Sequence, residues 1–195
     1  MIARLAVVAA IAVGAAGCGG SDRQLVGMTR DPEPQVDAVA LPDVANGGQP
    51  FDFRAAPDAL LVVYFGYTNC PDICPTTMSD LRAALGELGD QAERVDVAMV
   101  TVDPERDTDV LADYVRGFVP DWHAIATDDQ AALQSVAGPF GVSYEVFTSP
   151  AGEVEVGHSS NLFVVDDTGT LVLTWSFGTT SGELAGDLEQ LLDDA

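Results

Sequence analysis

Two runs in this sequence, "ALLVVYFGY" (59–67) and "RVDVAMVTVD" (94–103), are apolar almost without a break. A strand with one wet face alternates apolar and polar residues, whereas a strand apolar at successive positions is buried on both faces. Two such strands need cover above and below, which a sheet clothed in helices supplies. Between them, "PTTMSDLRAALGEL" repeats apolar residues at Met78, Leu81, Leu85 and Leu88. That period is helical, and Pro75 suits the first helical position.

The rest of the chain continues the alternation. Val39 to Phe53 reads as two short strands around an Asn-Gly-Gly turn. Asp107 is placed to cap a helix running to about Phe118. "HAIAT" (123–127) is a short strand and "DDQAALQSVAGPFG" (128–141) a helix closed by Gly-Pro. "VSYEVFTSPAGEVEVGH" (142–158) reads as a hairpin, and "NLFVVDDTGTLVLTWSF" (161–177) as two strands joined at Asp-Thr-Gly. "SGELAGDLEQLLDDA" (181–195) is a capped final helix with Leu184, Leu188, Leu191 and Leu192 on one side. This order predicts an α/β sandwich over 39–195, a central sheet with flanking helices and an N-terminal β-hairpin. Residues 18–38 are polar and punctuated by proline, and read as a flexible tether.

The chain opens "MIARLAVVAAIAVGAAGCGGSDRQ". Its apolar run is short for a bilayer span, and small residues lead into Cys18, as in a bacterial lipobox. Ala15 stands where such motifs usually carry Leu. The resemblance implies a signal peptide over 1–17, lipid on Cys18, and a domain anchored at the outer face of the cytoplasmic membrane. Acidic residues outnumber basic ones 31 to 8, for a net charge of −23, so the field repels nucleic acid.

With Cys18 so used, Cys70 and Cys74 remain, in "GYTNCPDICPTT" (66–77). The pair falls between the first central strand and its helix, where open α/β sheets place their chemistry. Metal clasp, redox pair and structural staple are all compatible with the spacing. In an oxidising compartment the pair tends towards a disulfide. Cys74, near the helix N-terminus, is expected to be the thiolate. Only two histidines are available as further soft donors. His123 sits inside a short strand and reads as structural, whereas His158 precedes "LFVV" in an expected loop, where function concentrates. Two thiolates and an imidazole suit copper, while a closed zinc site wants a fourth ligand that only Asp72 or Asp103 could supply.

Three motifs, "GYTNCPDICPTTMSDL", "VDPERDT" and "GHSSNLFVVDDTG", together resemble the Sco (SenC-like) family of copper-binding assembly factors. The likeness runs from about Val39 to the C-terminus. It implies a thioredoxin-like fold, a metallochaperone rather than an enzyme, and delivery of copper to, or thiol maintenance of, the dinuclear copper centre of cytochrome c oxidase. It implies that the partner is the copper-receiving oxidase subunit or another copper protein. By motif, Cys70 and Cys74 match the family's thiolate ligands and His158 its distal imidazole. Asp103 is a possible supporting group beyond them. Gly157 stands where many members carry Asp. The alternative is an extracytoplasmic thiol–disulfide oxidoreductase working through a Cys70–Cys74 disulfide. Against that, "HSSNLFVV" lacks the proline that thioredoxin-like enzymes place there in the cis form. A peroxidase would need a single activated cysteine forming a sulfenic acid. A disulfide serving only as a staple would matter for stability alone.

Overall fold

A computed structural model describes residues 24–119 and 121–194. The two apolar runs become β3 (Leu60–Gly66) and β4 (Val95–Thr101), paired in parallel along their whole length. Their alternate residues serve two separate cores, which is why neither strand carries a polar face. Leu60, Val62 and Tyr64 point to one side, and Leu61, Val63 and Phe65 to the other. On the first side lie α1 (Ile73–Leu88), α3 (Leu111–Arg116) and α5 (Ser181–Asp193). On the second lies α4 (Gln130–Phe140), whose Phe140 packs edge-on against Phe53, Phe65 and Phe163.

The seven-stranded sheet is completed by β1 (Leu41–Asp43), β2 (Gln49–Phe51), β5 (His123–Ile125), β8 (Leu162–Val165) and β9 (Leu171–Trp175), in the order β2-β1-β5-β4-β3-β8-β9. β3, β4 and β5 run parallel, and the remaining strands pair antiparallel. The expected N-terminal hairpin is β1–β2, and the expected 142–158 hairpin is β6 (Tyr144–Thr148) with β7 (Val154–His158), a sheet of its own. The final helix carries a full capping box, Thr180 with Glu183.

Three sequence expectations change. The single helix after Asp107 is two pieces, α2 (Pro104–Asp107) and α3, and Asp107 is the last residue of α2 rather than a cap. α4 continues through Pro139 and ends at Gly141, whose φ of 74° is the left-handed turn that glycine accepts readily. Residues 25–36 form no loose tether. Met28 exchanges two backbone hydrogen bonds with Thr174, Pro34 accepts from Leu171 N–H, and Val36 is buried. The segment covers β9, an edge strand whose unpaired backbone groups need partners. The expected signal peptide, Cys18 and the start of the expected tether lie outside the described residues. No helix among the described residues is long and apolar enough to cross a membrane.

His123 has the structural role expected of it. Its Nδ1 lies 2.6 Å from Asp43 Oδ2 and its Nε2 3.4 Å from Asp96 Oδ1. Asp96 and then Asp43, acting against burial, raise its pKa to about 9. A charged imidazole therefore ties β1 and β4 to β5. Because the folded pKa lies above the unfolded one, this stabilisation is complete below about pH 6.5 and is lost as pH rises through the folded value. With screening at its partly exposed ring, the contribution is about 1–2 kcal/mol. The urea midpoint is expected to fall more steeply between pH 6.5 and 9.5 in the wild type than in His123→Gln. Parallel curves for the two proteins would refute the assignment.

Candidate metal centre

β3 ends at Gly66, and the six residues that follow carry the chain to α1. α1 begins at Ile73, so Pro75 is its third residue and Cys74 its second, rather than Pro75 opening the helix. The earlier start is possible because N–H groups of the first turn have no intrahelical acceptor, and a proline there loses nothing. Cys74 N–H donates to Cys70 Sγ at 3.3 Å, so the loop folds Cys70 back over the helix start. Both cysteines are free thiols.

From the other side of the sheet, β7 brings in His158, at its last residue rather than in a loop. His158 Nε2 stands 3.7 Å from Cys74 Sγ. Its Nδ1–H donates to the Ser159 carbonyl at 2.9 Å, which leaves the Nε2 lone pair aimed at the sulfur. The ring is thus oriented by a backbone carbonyl. Gly157 lies opposite Glu145 across the hairpin. Burial lowers the His158 pKa, against the Ser159 contact, and favours the neutral ring that a metal requires. Tyr67 packs edge-on against the imidazole with ring centroids 5.7 Å apart.

The two thiols differ, in the sense opposite to the helix-end expectation. Cys74 is completely buried, and that burial pushes its pKa up to about 12 despite a contact with Tyr64. Burial also raises Cys70, but hydrogen bonds from the Cys74 thiol, the Cys74 and Asp72 N–H groups and Tyr67 outweigh it, and its pKa is lowered. Desolvation acts on the whole charge of a buried thiolate, whereas a helix end supplies only a fraction of a charge. Cys70 is therefore the sulfur that gives up its proton more readily, and Cys74 is held as the thiol.

The surroundings contain groups that local patterns did not reveal. Asp107 is buried and accepts from Thr68 N–H at 2.9 Å, from Thr68 Oγ1 at 2.5 Å and from Thr101 Oγ1 at 2.6 Å. It fastens the cysteine loop, two residues before Cys70, to the end of β4. Gly66 leaves room for the sulfur: a Cβ there would lie 3.2 Å from Cys74 Sγ and 2.7 Å from Tyr64 Cε1. The Tyr114 hydroxyl is buried without a hydrogen-bond partner, and the Tyr64 hydroxyl is buried beside the Cys74 thiol. Only the run "YFGY" beside the cysteines hinted at such an aromatic setting. Asp103 is buried and pairs with Arg106, which lies close enough to Tyr67 to act on its hydroxyl.

Cys70 thus touches Cys74, and Cys74 faces His158. Among the described residues no three His, Cys, Asp or Glu side chains are already gathered as a closed metal cluster. Two sulfurs and one imidazole nitrogen fit a soft monovalent or divalent ion of low coordination number. They do not complete a four-ligand structural zinc site.

A family model described as SCO1/SenC matches residues 44–193. A SCO2-like protein of Rickettsia prowazekii is 30% identical over 129 residues, 65% of this chain and 62% of that protein. The chain therefore spans less than two thirds of that relative's length. Among solved structures, the apo Sco1 protein of Thermus thermophilus is 32% identical, with a TM-score of 0.74 over 88% of this chain and 99% of that one. ScoI of Bradyrhizobium japonicum, solved with copper bound, is 26% identical, with a TM-score of 0.67 over 78% of this chain and 96% of that one.

Proposed function

The chain belongs to the SCO1/SenC family and has its thioredoxin-like fold, and from that premise we propose that it is a copper chaperone holding its cargo on Cys70, Cys74 and His158. The observation that carries the reading is the approach of His158 Nε2 to Cys74 Sγ, across 84 residues of sequence, with Cys70 Sγ on the Cys74 N–H. Cys70, the less buried sulfur and the one whose pKa is lowered, is the first donor to meet an incoming ion. Cys74 loses its proton as the ion arrives, which offsets the cost of charging a buried sulfur. The copper-bound relative supports copper as the cargo. BsSco, a fold neighbour, is described as a member of the Sco family of cytochrome c oxidase assembly proteins. The recipient on this reading is the copper-receiving subunit of that oxidase or another copper protein. The chain begins with a signal peptide over 1–17 and is held by lipid on Cys18 at the outer face of the membrane. The sequence around Cys18 supports this part of the reading.

The test is anaerobic titration of the reduced domain with Cu(I) and Cu(II), beside His158→Ala. One-to-one binding with sulfur-to-Cu(II) charge-transfer bands is expected. His158→Ala should lose those bands and more than the roughly 10–100-fold of affinity that loss of a supporting group costs. Equal affinities would sink the three-ligand site. A second reading, thiol–disulfide exchange with a partner, is favoured by the pairing of a half-buried Cys70 of lowered pKa with a buried Cys74. Cys70 would attack a partner disulfide, and Cys74 would release the partner as its dithiol while Cys70 and Cys74 oxidise to a disulfide. A reduction potential in the range of exchange proteins, with weak copper binding, would favour it.

A further inference from the structure

Tyr64 and Tyr67 bracket the end of β3, and both come back to the metal centre. Their rings meet the same imidazole. The centroid of His158 lies 6.2 Å from that of Tyr64 and 5.7 Å from that of Tyr67, at interplanar angles of 71° and 88°. Both contacts are the edge-to-face arrangement that aromatic rings favour. An imidazole so flanked cannot tilt without losing one of them.

The hydroxyl ends of the same two side chains meet the sulfurs, one each. Tyr64 is wholly buried, and its hydroxyl faces the Cys74 sulfur and the Thr77 hydroxyl. Thr77 Oγ1–H already donates to the Ile73 carbonyl at 2.9 Å, so Thr77 can only accept from Tyr64. At Gly66 the ring edge of Tyr64 and Cys74 Sγ crowd the same missing Cβ, which is how closely the strand lays ring and sulfur together. Tyr67 shares a tight turn with Cys70, whose N–H donates to the Tyr67 carbonyl at 3.4 Å, and the Tyr67 hydroxyl is hydrogen-bonded to the Cys70 sulfur.

Charge balance gives these hydroxyls a role. Two thiolates and a neutral imidazole around monovalent copper leave a single negative charge, and around divalent copper they leave none. That charge would sit where Cys74 is closed to water, in a chain of net charge −23. Arg106, the cation near Tyr67, already pairs with Asp103. A hydroxyl aimed at a sulfur therefore stabilises the monovalent state more than the divalent one, and hydrogen bonds around a ligand sulfur tune a copper site in this way. We infer that Tyr64 and Tyr67 are positioning residues of the metal centre, each donating its hydroxyl to one ligand sulfur and packing its ring on His158, and that together they bias the site towards Cu(I) over Cu(II). The inference rests on the copper reading above and names the oxidation state of the cargo.

Tyr64→Phe and Tyr67→Phe keep both rings and remove one hydroxyl each, and circular dichroism checks the fold. Cu(I) and Cu(II) affinities of the reduced protein are measured separately without oxygen. The ratio of the two should fall by about tenfold or more in each variant, a copper midpoint lowered by about 59 mV per tenfold, and the sulfur-to-Cu(II) bands should move. Loosened packing alone would weaken both ions alike and leave the ratio and the bands in place. In the copper-free protein, the infrared S–H stretch of Cys74 should shift in Tyr64→Phe. A wild-type ratio in one variant strikes that hydroxyl from the pair. Wild-type ratios in both, or equal loss of both ions, would overturn the proposal. A protein that takes up neither ion would defeat the copper reading instead. The S–H band then decides the contact by itself: a shift upholds the Tyr64 hydroxyl on Cys74, and an unmoved band overturns it.

Discussion

Asp107→Ala is expected to cost about 3–5 kcal/mol and to loosen the cysteine loop in the same stroke. Its carboxylate is the acceptor for one backbone N–H and two threonine hydroxyls in a site closed to water. Removing it strands the Thr68 N–H, because the hydroxyls can turn and the amide cannot. The loss falls on the segment that carries Cys70, so Cys70 should become more uniformly reactive towards alkylating reagents and copper affinity should fall. Asp107→Asn keeps the shape and one acceptor oxygen, but turns an NH2 towards a donor. It should lie between wild type and alanine in urea midpoint. A wild-type midpoint and wild-type alkylation rate in the alanine variant would remove Asp107 from the account of the site.

The second large effect is expected at Asp187, on α5. This buried carboxylate accepts from Val26 N–H at 3.0 Å, Gly27 N–H at 2.9 Å and Trp175 Nε1–H at 2.9 Å. Asp187→Ala orphans all three and should cost about 3–4 kcal/mol. The loss is local in character, since two of the donors belong to the segment that covers β9. Amide exchange at Val26, Gly27 and Met28 should accelerate. Trypsin should cut after Arg30, whose guanidinium in the wild type is held by the Phe140 carbonyl at 2.7 Å. Resistance at Arg30 equal to wild type would show that the strand contacts hold the segment without the carboxylate.

The layered fold was legible because β3 and β4 are apolar on both faces and α1 and α5 carry clean helical periods. These are local signals with large burial behind them. Asp107 misled because Asp before a helical stretch is a sound cap pattern, and nothing nearby in sequence reveals that Thr68 and Thr101 converge on it. Residues 25–36 misled for the same reason, since their bonds reach Thr174, Gly169 and Phe140, more than 100 residues away. That His158 joins the cysteine pair was suggested by residue type and by the family resemblance, and the structure brings its Nε2 to 3.7 Å from Cys74 Sγ. Which sulfur has the lower pKa was not legible, because it depends on how deeply each is buried, and Cys74 owes its burial to β3, α1 and β7 together.

On the proposal of a lipid anchor at Cys18, the hold of Asp187 on Val26 and Gly27 also limits where this molecule can work. With lipid on Cys18, as proposed, only the residues from Cys18 to Val26 separate the bilayer from a fixed point on the domain. Fully stretched, that is a leash of roughly 25–30 Å. A domain so short of rope cannot sweep the space outside the cell. So anchored, it would patrol a thin layer over the lipid, and its search for a partner in the same membrane would be two-dimensional. On that proposal the recipient would have to expose its own site within that layer, and lengthening the leash would dilute each domain in the partner's neighbourhood without altering a single contact.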